Sequence, residues 1–155
     1  MCIIADPPIL VPMFKEDDPE HHKFLPVKTW VLEGPGKFVM GGTQYKTELM
    51  KVSKVLIFIK ELERRGKIVR RKDEDIDEDV KILKIKEPSK NFDDPHLVAL
   101  ARLSGCKLIC LRDPRAHRYL RKPHFYNAAK DRPKLYTRIK NSNLLCKNNI
   151  APCCN

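Results

Sequence analysis

The stretch from Asp93 to Asp113, DDPHLVALARLSGCKLICLRD, limits the fold of this chain more than any other. Pro95 suits the first position of a helix, where the N–H it lacks would go unpaired anyway. From His96 to Ser104, the residues Leu97, Leu100, Ala101 and Leu103 recur at the three- and four-residue steps of a helix facing a core. Gly105 is a helix stop. Lys107 to Leu111 then forms a short apolar run of strand length, the pattern of a sheet interior covered on both faces. Asp94 at the helix start and Asp113 just past the strand bracket half of an α/β unit. Ligands of such sheets bind outside the carboxyl ends of the strands.

Two further acids fall at matching places. Met1 to Ala5 (MCIIA) reads as a buried strand ending at Asp6, and Pro7 and Pro8 forbid continuation of its ladder. Thr43 to Arg65 carries the longest helical pattern, closed by Gly66, with Val52, Val55, Ile59 and Leu62 marking its inward stripe. Glu48 lies on that stripe. A carboxylate on an apolar face must be paired, protonated or metal-bound, because an isolated buried charge costs several kcal/mol. Taken singly, each acid has a plainer reading: Asp6 as a turn residue, Glu48 as a partner of the helix dipole, and Asp94 and Asp113 as helix caps. Convergence of all four on one sheet edge points to chemistry instead.

The remaining elements are read more briefly. Asp18, Pro19 and Glu20 look like a helix start, with Pro26 expected to kink or split the helix before Gly34, Pro35 and Gly36 end it. Lys37 to Met40 is a short strand, and Lys67 to Arg71 a strand or an extended lead. Asp73 to Asp79 (DEDIDED) opens another helix. As an EF-hand loop it would need Gly where Glu78 stands and Glu where Lys84 stands, so a calcium loop is excluded and a solvated acidic helix start remains.

These residues resemble the PIN-domain nuclease family, and its compact, toxin-like members in particular. The family pattern is an aspartate three residues before an aliphatic one, small residues on a helix, a glycine, a hydrophobic strand and a last aspartate. Here it is met by Asp94, Leu97, Ala99, Ala101, Gly105 and Asp113. Asp6 matches the family's first metal-binding aspartate, and GGTQYKTEL resembles the helix that presents a glutamate, Glu48, to the metal. Pro7 and Pro8 depart from the small polar residue and Asn that many members place there. The resemblance implies a three-layer α/β/α fold with a central parallel sheet over residues 1–122, followed by a basic, aromatic-containing extension over 123–155. It implies an endoribonuclease that uses Mg²⁺ or Mn²⁺ held by Asp6, Glu48, Asp94 and Asp113, acting as a toxin or in RNA processing. Its implied partners are an RNA substrate, an antitoxin-like inhibitor protein and a second copy in a homodimer. The competing reading is a non-catalytic RNA-binding module on the same fold.

Charge agrees with a polyanionic partner. The 155 residues carry a net charge of +11. From Lys107 to Asn155 there are 12 Lys and Arg against 2 acids, so this last segment holds +10 of it. Arg112, Arg115, Arg118, Arg121 and Lys122 are the candidate nucleic-acid contacts, with Tyr119, His124, Phe125, Tyr126 and Tyr136 interleaved among the cations of the region. Cations for phosphates and flat rings for unpaired bases are the makings of a single-stranded nucleic-acid surface.

No apolar run approaches the roughly 20 residues of a membrane span, and no basic leader precedes the first strand, so a cytosolic chain with reduced thiols is expected. Cys106 and Cys110 read as small core hydrophobes. Cys146, Cys153 and Cys154 fall in an Asn-rich tail that offers no CxxC pair or partnering histidine, so this segment reads as a loose terminus without metal.

Overall fold

The computed structural model describes residues 1–154; Asn155, the last residue of the extension, lies outside the described residues. Five strands form one parallel sheet: β1 (Cys2–Ala5), β2 (Lys37–Met40), β3 (Ile68–Arg70), β4 (Leu108–Cys110) and β5 (Lys134–Tyr136). Their spatial order is β3-β2-β1-β4-β5. The register pairs Ile3 with Phe38 and Ile4 with Ile109. Cys2, Ile3, Ile4 and Ala5 are all fully buried, as a central strand covered on both faces requires.

Among the described residues seven α-helices cover the sheet: α1 (Leu10–Phe14), α2 (His21–Leu32), α3 (Thr43–Lys51), α4 (Leu56–Arg64), α5 (Asp73–Lys86), α6 (Pro95–Ser104) and α7 (Pro114–Leu120). α1 packs on α2, and α5 packs on α6, which also touches β1, β2 and β4. With this strand order, the right-handed rule for parallel crossovers assigns the helices between β1 and β3 to one face and those between β3 and β5 to the other. The direction of travel reverses between β1 and β4. That is the switch point where the strand ends open a crevice.

Three local expectations need correction. The helical pattern from Thr43 to Arg65 is two helices, broken at Val52 (φ −104°, ψ 45°) and joined by a 3₁₀ turn at Ser53–Val55. Pro26 lies inside α2 without splitting it. It removes one backbone donor, and burial of Phe24, Val27 and Val31 on the same helix offsets that loss. The acidic start of α5 is more than a solvated face. Asp73 Oδ1 accepts from the Gly42 N–H at 2.9 Å and Asp77 Oδ1 from the Thr43 N–H at 2.8 Å, so two carboxylates satisfy the free donors that open α3. Gly42 sits at φ +92°, and a Cβ there would come 2.5 Å from Ile76 Cγ2, so only glycine lets α3 start against α5.

The C-terminal extension is built into the fold. β5 pairs with β4, with Ile109 opposite Leu135, and Tyr136 is fully buried. Asn149, Ala151 and Cys153 are buried as well, so the tail packs where the sequence suggests a loose terminus. Of the aromatic residues read as a base-stacking surface, Tyr119, Phe125, Tyr126 and Tyr136 are core residues and only His124 is exposed. Phe92 explains part of this: it stacks on Tyr119 and on Phe125, each at 5.3 Å between ring centroids. Aromatic spacing alone cannot separate a stacking platform from a core, because both bury flat rings.

Among the described residues no helix is long and apolar enough to cross a membrane.

Candidate metal centre

Asp6 is positioned by the end of β1. Its N–H donates to the Cys110 carbonyl at 2.9 Å, the last rung of the β1–β4 ladder, and Pro7 then forces the chain into a 3₁₀ turn, Pro7–Ile9. The carboxylate stands at the cap position of that turn but makes no capping hydrogen bond. Asp94 occupies the cap position of α6, with Pro95 following, and likewise makes none. Both side chains are therefore free of the structural duty that would explain them.

Glu48 comes from the middle of α3. Gln44, one turn earlier, donates from Nε2 to Glu48 Oε1 at 3.0 Å and to the Asp93 carbonyl at 2.8 Å, tying the glutamate to the loop that carries Asp94. Tyr45, buried beside it, donates its hydroxyl to the Ala5 carbonyl at 2.6 Å and so fastens α3 to the residue preceding Asp6.

A fourth residue joins them. His96, in the first turn of α6, is fully buried, and neither ring nitrogen has a hydrogen-bond partner among the described residues. One atom each from Asp6, Glu48, Asp94 and His96 can be chosen so that all lie within 4.8 Å of one another. His96 Nε2 is 3.6 Å from Glu48 Oε2, beyond hydrogen-bonding reach. Burial pushes the imidazole down to about 3, so it is neutral and the contact is no salt bridge. Sequence reading missed His96 because it precedes an apolar helical stripe. The available signal was its place two residues after Asp94, within the same helical turn.

The carboxyls carry the electrostatic signature of crowding. Burial, then the negative charges of Asp94, Glu48 and Asp113, raise Asp6 to about 7. Burial, then Glu48, Asp93 and Asp113, raise Asp94 to about 6. Acids held that close ionise together near neutral pH at an electrostatic cost that a bound cation removes.

Asp113 is placed differently. It lines the same open cleft of about 620 Å³ as Asp6, Glu48 and Asp94, together with Arg112 and Arg115. Its oxygens, however, cap α7 by accepting from the Arg115 N–H at 2.9 Å and bind the Arg115 guanidinium at 2.7 Å. That pairing holds Asp113 below the ordinary carboxylate range. It stands on the rim, outside the group of four.

The five cations proposed for a nucleic acid divide as well. Arg112 and Arg115 line the cleft, and Arg112 also binds Glu20 at 2.6 Å. Arg118 and Lys122 sit over the Tyr119 ring at 4.8 and 5.0 Å, and Lys122 pairs with Glu87. Arg121 is exposed.

The fold and site define an α/β protein with a parallel sheet and an acid-and-imidazole cluster at its switch point. Comparison with family models, with curated proteins and with solved structures finds no match.

Proposed function

We propose that the protein is a divalent-metal-dependent endoribonuclease of the PIN type. One observation carries the reading. Three carboxylates, at the end of β1, on α3 and at the start of α6, none of them in an ion pair with a lysine or arginine among the described residues, meet a buried histidine whose nitrogens have no hydrogen-bond partner there. An unsatisfied neutral imidazole facing acidic oxygens is the environment a cation resolves, since it supplies the missing partner for each group.

Asp6, Glu48 and Asp94 would hold the ion, with His96 as a nitrogen ligand or close support. This donor set is not all-oxygen, and an imidazole suits Mn²⁺ better than Mg²⁺. A bound ion of this kind lowers the pKa of water, orients a phosphate and neutralises charge on its oxygens. The chain's own residues do the rest. Arg112 and Arg115 face the open side of the cleft and contact the substrate backbone, while Gln44 and Tyr45 fix Glu48 and the end of β1.

A second reading, a non-catalytic RNA-binding module, draws on the pairing of Asp113 with Arg115, which leaves one of the four acids already neutralised. The experiment that separates them is incubation of labelled single-stranded RNA with Mn²⁺, with and without chelator, using the wild type and Asp94→Asn. Chelator-sensitive cutting that Asp94→Asn abolishes, with binding retained, supports the nuclease. RNA retention without cleavage under every condition supports the module.

A further inference from the structure

A second group of ligating side chains lies at the opposite end of the sheet. Cys2 opens β1 whereas Asp6 follows it, so the two sites are separated by about 13 Å of extended strand. At the Cys2 end, the 3₁₀ turn Pro152–Cys154 folds back against the strand. Gly105, at φ +70°, ends α6 and admits the turn, because a Cβ on it would stand 3.0 Å from Pro152 Cδ. This docking gathers thiols that lie far apart in the chain. The Sγ atoms of Cys2, Cys153 and Cys154 all lie within 4.8 Å of one another, and the buried Cys106 thiol, which donates to the Leu108 carbonyl at 3.4 Å, lies beside Cys153.

We propose that Cys2, Cys106, Cys153 and Cys154 form a structural zinc site that fastens the C-terminal turn to the start of β1. Tetrahedral Zn²⁺ with Zn–S bonds of about 2.3 Å spaces its sulfurs about 3.8 Å apart, so the three grouped thiols close by at most about 1 Å and Cys106 turns from the Leu108 carbonyl to complete the four. The backbone donates to the cluster too: the Ala151 N–H points at Cys154 Sγ at 3.2 Å, a bond that favours the thiolate. Metal entry displaces the thiol protons to the buffer. Four protein ligands leave no open position, so the site holds structure and performs no reaction.

Two features separate this site from the acid cluster. Its ligands are soft sulfurs that select Zn²⁺ over Mg²⁺ or Mn²⁺, and it joins three segments that share no residue with Asp6, Glu48 or Asp94. Sequence inspection misses it because the tail's partners come from residues 2 and 106.

The test is Co²⁺ titration of the full chain, reduced and freed of metal, read by absorption. The expected result is a thiolate-to-cobalt charge-transfer band with intense tetrahedral visible bands, saturating at one ion per chain and displaced by Zn²⁺. Cys146→Ser, outside the cluster, should retain the bands; Cys153→Ser should lose them. If Cys153→Ser does not fold, the wild-type spectrum decides alone. Absence of a thiolate band in the reduced wild type, or a band that survives in Cys153→Ser, overturns the proposal. Isolation of the native chain with a stoichiometric disulfide among these cysteines and no metal uptake after reduction overturns it as well.

Discussion

His96 Nε2 faces Glu48 Oε2 at 3.6 Å, a neutral buried imidazole against a carboxylate with no hydrogen bond between them. This relationship joins α3 to α6 and brings a nitrogen ligand into an otherwise acidic cluster. Leaving buried polar atoms unpaired costs about 1–3 kcal/mol, so the apo fold carries a penalty that a ligand can relieve. His96→Leu, close in volume and apolar, should therefore leave the thermal midpoint of the chelated protein unchanged or raised. The same substitution should weaken Mn²⁺ binding by roughly tenfold or more, measured by calorimetry. Loss of several degrees in the chelated variant would show that His96 serves the core alone.

The pH dependence of the chelated protein follows from its crowded acids. Asp6 at about 7 and Asp94 at about 6 lie above the 3.8 of a free aspartyl group. A carboxyl that holds its proton more tightly when folded stabilises fully below the unfolded value, and the contribution is lost as pH rises through 6 and 7. Between about pH 5 and 8 the loss should be on the order of 2 kcal/mol, or about 4–8 °C of midpoint, since neighbouring acids share their protons. Asp6→Asn should flatten the profile. Excess Mn²⁺ should reverse it, because the ion competes with protons for the same oxygens. A wild-type profile in chelator as flat as that of Asp6→Asn would refute the crowding.

Arg115 neutralises Asp113 from an exposed position, its side chain 80% accessible. Exposed pairs contribute little, so Arg115→Ala should change stability by less than about 1 kcal/mol. It should tighten Mn²⁺ binding several-fold by freeing a carboxylate at the rim, and weaken RNA binding by removing a cation. Calorimetry with the metal and filter retention of RNA read the two effects separately, and a fall in both affinities would contradict the assignment of Asp113 to the rim.

Tyr45 holds the end of β1 through its hydroxyl, buried and 2.6 Å from the Ala5 carbonyl. Tyr45→Phe keeps the ring and loses the bond, a change of about 1–2 kcal/mol, or about 3–6 °C in the thermal midpoint. If Asp6 is aimed by this contact, Mn²⁺ affinity falls beyond what the stability loss accounts for.

Removal of residues 123–155 tests whether the basic extension is separable. It takes away β5 and the buried Tyr136, exposing the β4 edge, so the shortened chain should show no cooperative melting. A folded, soluble 1–122 fragment would make the extension an accessory.

Much of the framework is written in local residue pattern. Pro95 and Gly105 bound α6, the apolar runs at 2–5 and 108–110 are strands, and Pro114 opens α7 behind Asp113. These are short-range effects of backbone geometry and periodicity, so a single stretch suffices to fix them. The break in the helix at Val52 was not legible, because its residues keep helical spacing on both sides and the angles of one residue decide it. β5 was not legible either: Lys134–Tyr136 is three residues long, and its identity as a strand rests on pairing with β4.

For the site, residue pattern shows which acids end strands and begin helices, and so which could meet at one edge of a parallel sheet. How each is engaged depends on the packed fold. Asp6 and Asp94 are left without capping bonds, Asp113 is taken by Arg115, His96 is turned inward without a partner, and Cys2 is joined to the far end of the chain. The reason is physical: a carboxylate, an imidazole or a thiol acquires its chemistry from burial and from neighbours within a few ångströms, and those neighbours come from segments distant in sequence.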